Sequence, residues 1–171
     1  LIFALGNSSD LFLILRAREI TESDSITISA YIGYNIVYAL SSYPMGILAD
    51  KWGSKRIFLA GLILFIIVYA GFAVTNTAWI IYILFGLYGI YAAATEGIAK
   101  AWISNLAHDK NTGTALGCFN SLQSLAAFSA SVLAGIVWQW QGSETVFLMA
   151  AALAVISFAF LFVKAGKGQY R

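Results

Sequence analysis

The sequence predicts an all-α, polytopic membrane protein with six transmembrane helices. Of its 171 residues, 60% are hydrophobic and only 11% are charged, against about 25% charged in soluble domains. Mean hydropathy is +0.80. The apolar residues gather into runs near the ~20 residues that cross a ~30 Å hydrocarbon layer, with short polar turns between them. Backbone groups in lipid must be paired within their own segment, so these runs are expected as helices. The alternation of a membrane β-barrel is absent.

The first helix is expected over about 1–20, interrupted by Asn7, Asp10, Arg16 and Arg18, and the polar turn Thr21–Ser25 follows it. The second covers about 26–48 and the third about 57–74, closed by the uncharged turn Thr75-Asn76-Thr77. The fourth covers about 79–103, and a loop from Ser104 to Thr112 holds His108, Asp109 and Lys110. The fifth covers about 113–138 and the sixth about 144–163, leaving a basic tail to Arg171. Trp79, Trp138 and Trp140 fall near one interface and Trp102 near the other, as an aromatic belt would. Small residues at helical spacing predict close packing faces: Ala93, Gly97 and Ala101; Gly113, Gly117 and Ser121; Ala127, Ser131 and Gly135.

Charge sets the orientation. Lys51, Lys55, Arg56, Lys110, Lys164, Lys167 and Arg171 fall on one side, while the other has Arg16 and Arg18 beside acids. The first side is expected to be cytoplasmic. Six crossings then put both ends of the chain in the cytoplasm, in an inner (plasma) membrane. A net charge of +2 gives no clustered basic surface for nucleic acid. Cys118 is the only cysteine and is expected as a small packing residue. His108 is the only histidine, so a histidine metal site would lack partners. No catalytic set and no phosphate-binding glycine loop is visible, so no enzyme activity and no cofactor is expected. The chain begins at Leu1 inside an apolar run with no signal peptide ahead of it. It is therefore expected to be the C-terminal part of a longer protein.

The turn after the second run reads Gly46-Ile47-Leu48-Ala49-Asp50-Lys51-Trp52-Gly53-Ser54-Lys55-Arg56. It resembles the loop signature of the major facilitator superfamily (MFS) of secondary transporters, roughly G-x-L-x-D-[RK]-x-G-[RK]-[RK]. Gly46, Leu48, Asp50, Lys51 and Gly53 fit; the basic pair stands one residue late as Lys55-Arg56, with Ser54 in the place of its first base. Tyr38 to Pro44 and Thr112 to Gly117 are also similar to that family. The resemblance implies helices seven to twelve of a twelve-helix fold, the C-terminal six-helix bundle of an MFS-type protein, with an N-terminal six-helix half missing. It implies that Asp50, Lys51, Lys55 and Arg56 act in conformational gating. Asp50 is expected to cap the next helix and pair with Arg56, and Gly46 to allow close helix approach. The plain alternative is a loop that only sets topology.

Polar groups inside apolar helices are costly and mark function by default, ~2.5–3.5 kcal/mol for a charge on insertion scales. Asp10 is expected about 15 Å along the first helix, near mid-membrane, with Asn7 on the same face. Asp10 either lines a transport cavity and binds a proton, a cation or a cationic substrate, or pairs with an arginine and holds helices together. Arg16 and Arg18 are expected to snorkel outward. Glu96 and Lys100 stand i,i+4 with the acid first, an intramembrane charge pair. Either they belong to a gate or Glu96 only neutralises Lys100. Asn35 with Tyr31, Tyr34 and Tyr38, and Asn120 with Gln123 and Ser124, are further cavity candidates. The expected function is transport of a small solute by alternating access, most readily driven by protons through Asp10 or Glu96. The partners are then solute, protons and the lipid bilayer. The alternative is a non-transporting scaffold or accessory subunit on the same half-fold, followed by a channel or intramembrane enzyme.

Overall fold

The computed structural model describes residues 3–7, 9–107 and 111–167, except for the side chains of Leu5 and of residues 164–167. His108, Asp109, Lys110, Arg171 and the side chains of Lys164 and Lys167 thus lie outside the described residues. Among the described residues the chain is all helical: a 3-10 turn (Phe3–Leu5), then α1 (Leu11–Thr21), α2 (Asp24–Trp52), α3 (Ser54–Val74), α4 (Ala78–Leu106), α5 (Thr112–Gln141) and α6 (Ser143–Lys167).

The first expected helix is broken. Gly6 and Asn7 donate their backbone N–H groups to Phe3 O, which closes the 3-10 turn. Ser9 Oγ then accepts from Leu11 N, and Ser9 N donates to Ser131 Oγ on α5. Asn, Ser and Asp side chains compete with the helix for backbone partners, and glycine weakens it. Asp10 therefore stands at the start of α1 instead of ten residues into a helix. The 11 residues of α1 are too few to cross a bilayer alone. Four helices, α3 to α6, are long and apolar enough to cross by length and composition. α2 is also 29 residues long, but its serines, threonines, tyrosines and Asn35 dilute its apolar character.

Helix α4 is central, with α2 and α3 packed along it, and α3 packs in turn on α6. Glycine permits the tightest crossings. A methyl at Gly89 would lie 2.8 Å from Tyr34 O and 3.0 Å from Tyr38 N, so α2 backbone rests directly on α4. A methyl at Gly61 would meet Thr95 Cγ2 at 2.5 Å. The expected small-residue faces do not serve this purpose, because Gly46, Gly97, Gly113, Gly117 and Gly135 have nothing within 4 Å of an added methyl. On α5 the described buried residues are Ala130 and Ala134, and Cys118 is exposed. The core is aromatic: Phe65 stacks on Tyr69 one turn later at 3.8 Å, and Phe72 on Phe147 of α6 at 5.6 Å.

Arg16 does not snorkel outward; it is buried. Its Nε donates to Phe72 O at 3.0 Å, and Nη2 reaches Ala73 O and Thr75 O. These carbonyls end α3, where a cation is favoured by the helix dipole. Nη1 donates to Ser143 Oγ and Glu19 Oε2, and Ser143 Oγ donates to the same Glu19 oxygen at 2.7 Å. Glu144 lies 3.6 Å from Nη2. One guanidinium thereby joins α1, the end of α3 and the start of α6. Arg18 is exposed and pairs with Asp24 at 2.7 Å.

Candidate substrate cavity

A cavity of about 500 Å³ opens between the N-terminal turn, α3, α4, α5 and α6. It is large enough for a drug-sized molecule. α4 contributes Tyr91, Thr95, Glu96 and Trp102 to its lining. The N-terminal turn supplies Phe3 and Asn7, and α5 supplies Phe119 and Gln123. Three of the residues expected in a cavity, Asn7, Glu96 and Gln123, are thus brought together.

Among the described residues Glu96 is the one charged side chain on this wall, and it is exposed. Tyr38 Oη donates to its Oε2 at 3.2 Å. The hydroxyls of Thr95 and Ser157 donate to carbonyls of their own helices, Tyr91 O and Leu153 O, so both donors are spent. Asn7 Oδ1 is buried and has no hydrogen-bond partner.

Asp10 is not in the cavity lining, and among the described residues it has no arginine partner. Tyr88 Oη donates to its Oδ1 at 2.7 Å, and Tyr34 Oη reaches Oδ2 at 3.5 Å. Tyr34 and Tyr38 are one turn apart and stack at 6.3 Å with only 15° between their rings. The two carboxylates are therefore linked through a pair of stacked tyrosines: Asp10 to Tyr34, Tyr34 against Tyr38, and Tyr38 to Glu96.

Other candidates fall elsewhere. Asn35 is exposed and donates to Tyr31 O of its own helix at 2.8 Å. Asn120 and Ser124 are exposed on α5 and outside the cavity lining. Lys100 is exposed, and the ion pairs among the described residues are Arg16–Glu19, Arg16–Glu144 and Arg18–Asp24. The expected Glu96–Lys100 pair is therefore not formed; Tyr38 holds the carboxylate and Lys100 faces out. The loop at 46–56 is also tighter than expected. α2 runs on to Trp52, and Gly53 alone joins it to α3 with φ +91°. Asp50 lies in the last turn of α2, exposed, and gives α3 no side-chain cap. Lys51 and Arg56 are exposed as well, and Lys55 is half-buried.

The aromatic wall, Phe3, Phe58, Tyr91, Trp102 and Phe119, was not singled out by sequence as a lining. Aromatic residues in an apolar run read equally as core. The usable signal was confined to Tyr91 and Trp102, about three turns apart on one face of α4. Among the described residues no group of His, Cys, Asp or Glu suits a metal ion.

Comparison with known proteins agrees with the loop motif. Residues 2–169 match the family model of the Major Facilitator Superfamily. The chain is 41% identical over 162 residues to an uncharacterized MFS-type transporter of Methanocaldococcus jannaschii, covering 91% of this chain and 40% of that protein. It is 29% identical over 164 residues to the class C tetracycline resistance protein of Escherichia coli, covering 90% of this chain and 40% of that one. It is 26% identical over 141 residues to the MFS-type transporter ppzB of Metarhizium rileyi, covering 82% of this chain and 29% of that protein. The chain thus spans well under half the length of these relatives. With its apolar helices, its signature turn and a family match over nearly all its residues, the chain is an integral membrane protein that belongs to the Major Facilitator Superfamily.

Proposed function

We propose that this chain is one six-helix half of a secondary transporter. The half moves a small solute by alternating access, with the cavity around Glu96 as its side of the path and protons as the driving ion. The observation that carries this reading is the pair of carboxylates, Asp10 and Glu96, each held by tyrosine hydroxyls and linked through Tyr34 and Tyr38, with Glu96 in the wall of the cavity. Among the described residues neither makes an ion pair. A second six-helix half would cover the open faces of α2 and α5. Exposed polar residues on α5, Asn120, Ser121 and Ser124, support that cover, since polar groups facing lipid are costly. The signature turn, Gly46 to Arg56, would act at the cytoplasmic gate, with both ends of the chain on that side of the plasma membrane.

The test is uptake by the complete protein in proteoliposomes under an imposed pH gradient, scanned over neutral, anionic and cationic solutes. Asp10→Asn and Glu96→Gln are each expected to abolish proton-driven accumulation while exchange down a solute gradient persists. Proton-driven uptake unchanged in both variants would overturn the coupling role. No movement of any solute by the complete protein would favour a scaffold built on the same half-fold.

A further inference from the structure

We infer that the cavity around Glu96 selects a lipophilic organic cation; this rests on the reading of that cavity as the solute path. Its electrostatics are one-sided. Among the described residues Glu96 is the only charged one in the lining, and Tyr38 occupies one of its two carboxylate oxygens. Asn7 adds a buried carbonyl oxygen without a donor. The lining hydroxyls of Thr95 and Ser157 are already committed to backbone carbonyls. Among the described residues the lining therefore offers acceptors that lack partners and, beside the neutral amides of Asn7 and Gln123, no cationic donor. Lys100 does not reach in, and Arg16 is occupied at the end of α3. An anion entering here would meet a carboxylate with nothing to offset it. A neutral polar solute would leave the second carboxylate oxygen without a charge partner, whereas a cation would supply one.

The rest of the wall suits the body of such a ligand. Phe3, Phe58, Tyr91, Trp102 and Phe119 present aromatic surface around the single acid. Aromatic faces attract cations, tryptophan most strongly, and the attraction grows when water is excluded. A bulky cation with spread charge would set its aromatic or aliphatic parts against these rings and its charge toward Glu96. A small, strongly hydrated cation would leave most of the 500 Å³ unfilled.

Equilibrium binding to the complete purified protein tests this, with tetraphenylphosphonium as the probe and tetraphenylborate as its charge-reversed counterpart of like shape. The phosphonium is expected to bind and the borate to bind at least about tenfold more weakly, since only charge separates them. Glu96→Gln is expected to weaken phosphonium binding roughly tenfold and Glu96→Asp to restore most of it, whereas Trp102→Leu weakens it several-fold. Equal binding of the two ions, or phosphonium binding unmoved by a folded Glu96→Gln variant, would overturn the inference. If Glu96→Gln fails to fold, the comparison of the two ions on the unaltered protein decides alone. Cavity-dependent uptake of an anionic or neutral solute in preference to cations would overturn the cation inference and leave the transport reading standing. Charge-selective binding without movement of any solute would do the reverse.

Discussion

Arg16 and Arg18 show how little a residue's type says about its energetic weight. They are two positions apart on one short helix. Arg16 is buried and satisfies three carbonyls, a serine and two acids. Arg18 makes one exposed ion pair. Removing Arg16 strands buried acceptors and leaves Glu19 and Ser143 without their shared donor. Arg16→Ala is expected to cost about 3 kcal/mol, as breaking a buried, hydrogen-bonded charge network does. Arg18→Ala should cost under about 1 kcal/mol, since an exposed pair is screened by water. Thermal unfolding of the two purified variants in detergent separates these outcomes; equal shifts would refute the role given to Arg16. Sequence placed both arginines near a helix end. It could not tell them apart, because the carbonyls that bury Arg16 come from residues 72 to 75.

At the scale of the element, helix–helix distance is set by a few glycines that periodicity did not single out. Gly89 lies under the backbone of α2 at the turn that carries Tyr34 and Tyr38. Gly89→Ala must push α2 away from α4 and is expected to destabilise by about 1–3 kcal/mol, the usual cost of overpacking. It should also loosen the tyrosines from Asp10 and Glu96. Gly97→Ala, on the same helix but with open space at its methyl position, should be neutral or slightly stabilising because alanine favours helix. Paired unfolding curves of the two variants check this directly. The helices were largely legible. The runs expected at 26–48, 57–74, 79–103, 113–138 and 144–163 are the cores of α2 to α6, each a few residues longer in the structure. The break in the first run was not seen, since Asn7 and Asp10 were read as polar interruptions of a helix and not as its end. In the cavity, Asn7, Glu96 and Gln123 stood out as polar residues in apolar runs. Asn35 and Asn120 stood out for the same reason yet face elsewhere, because polarity marks a residue and not the direction it points. The aromatic wall carried no such mark.

For the whole molecule, no residue of the signature turn lines the cavity, although Phe58 follows it by two positions, and turn and cavity divide the work of the proposed cycle. Asp50 and Arg56 are exposed, with no ion pair among the described residues, so a partner surface is where they would act in the proposed cycle. In the complete protein Asp50→Ala is expected to slow solute cycling about tenfold or more while equilibrium solute affinity stays within about twofold, since it touches the gate and not the site. A collapse of affinity with cycling intact would reverse that assignment. Glu96→Gln should show the opposite pattern, with affinity lost first. Measuring binding and uptake on the same two variants ties each half of the mechanism to its own place in the bundle.

The break at Gly6 to Asp10 has one more consequence. A helix deep in lipid keeps its amide protons for long times, because every N–H is already bonded and no water comes near. Here the chain leaves that state for a few residues beside the cavity, with Ser9 N held only by the hydroxyl of Ser131. Deuterium should enter this short stretch quickly while the amides of α3, flanked by packed aromatic rings, stay dark. In the proposed cycle, the first solvent to penetrate the bundle here would mark a path for protons toward Asp10.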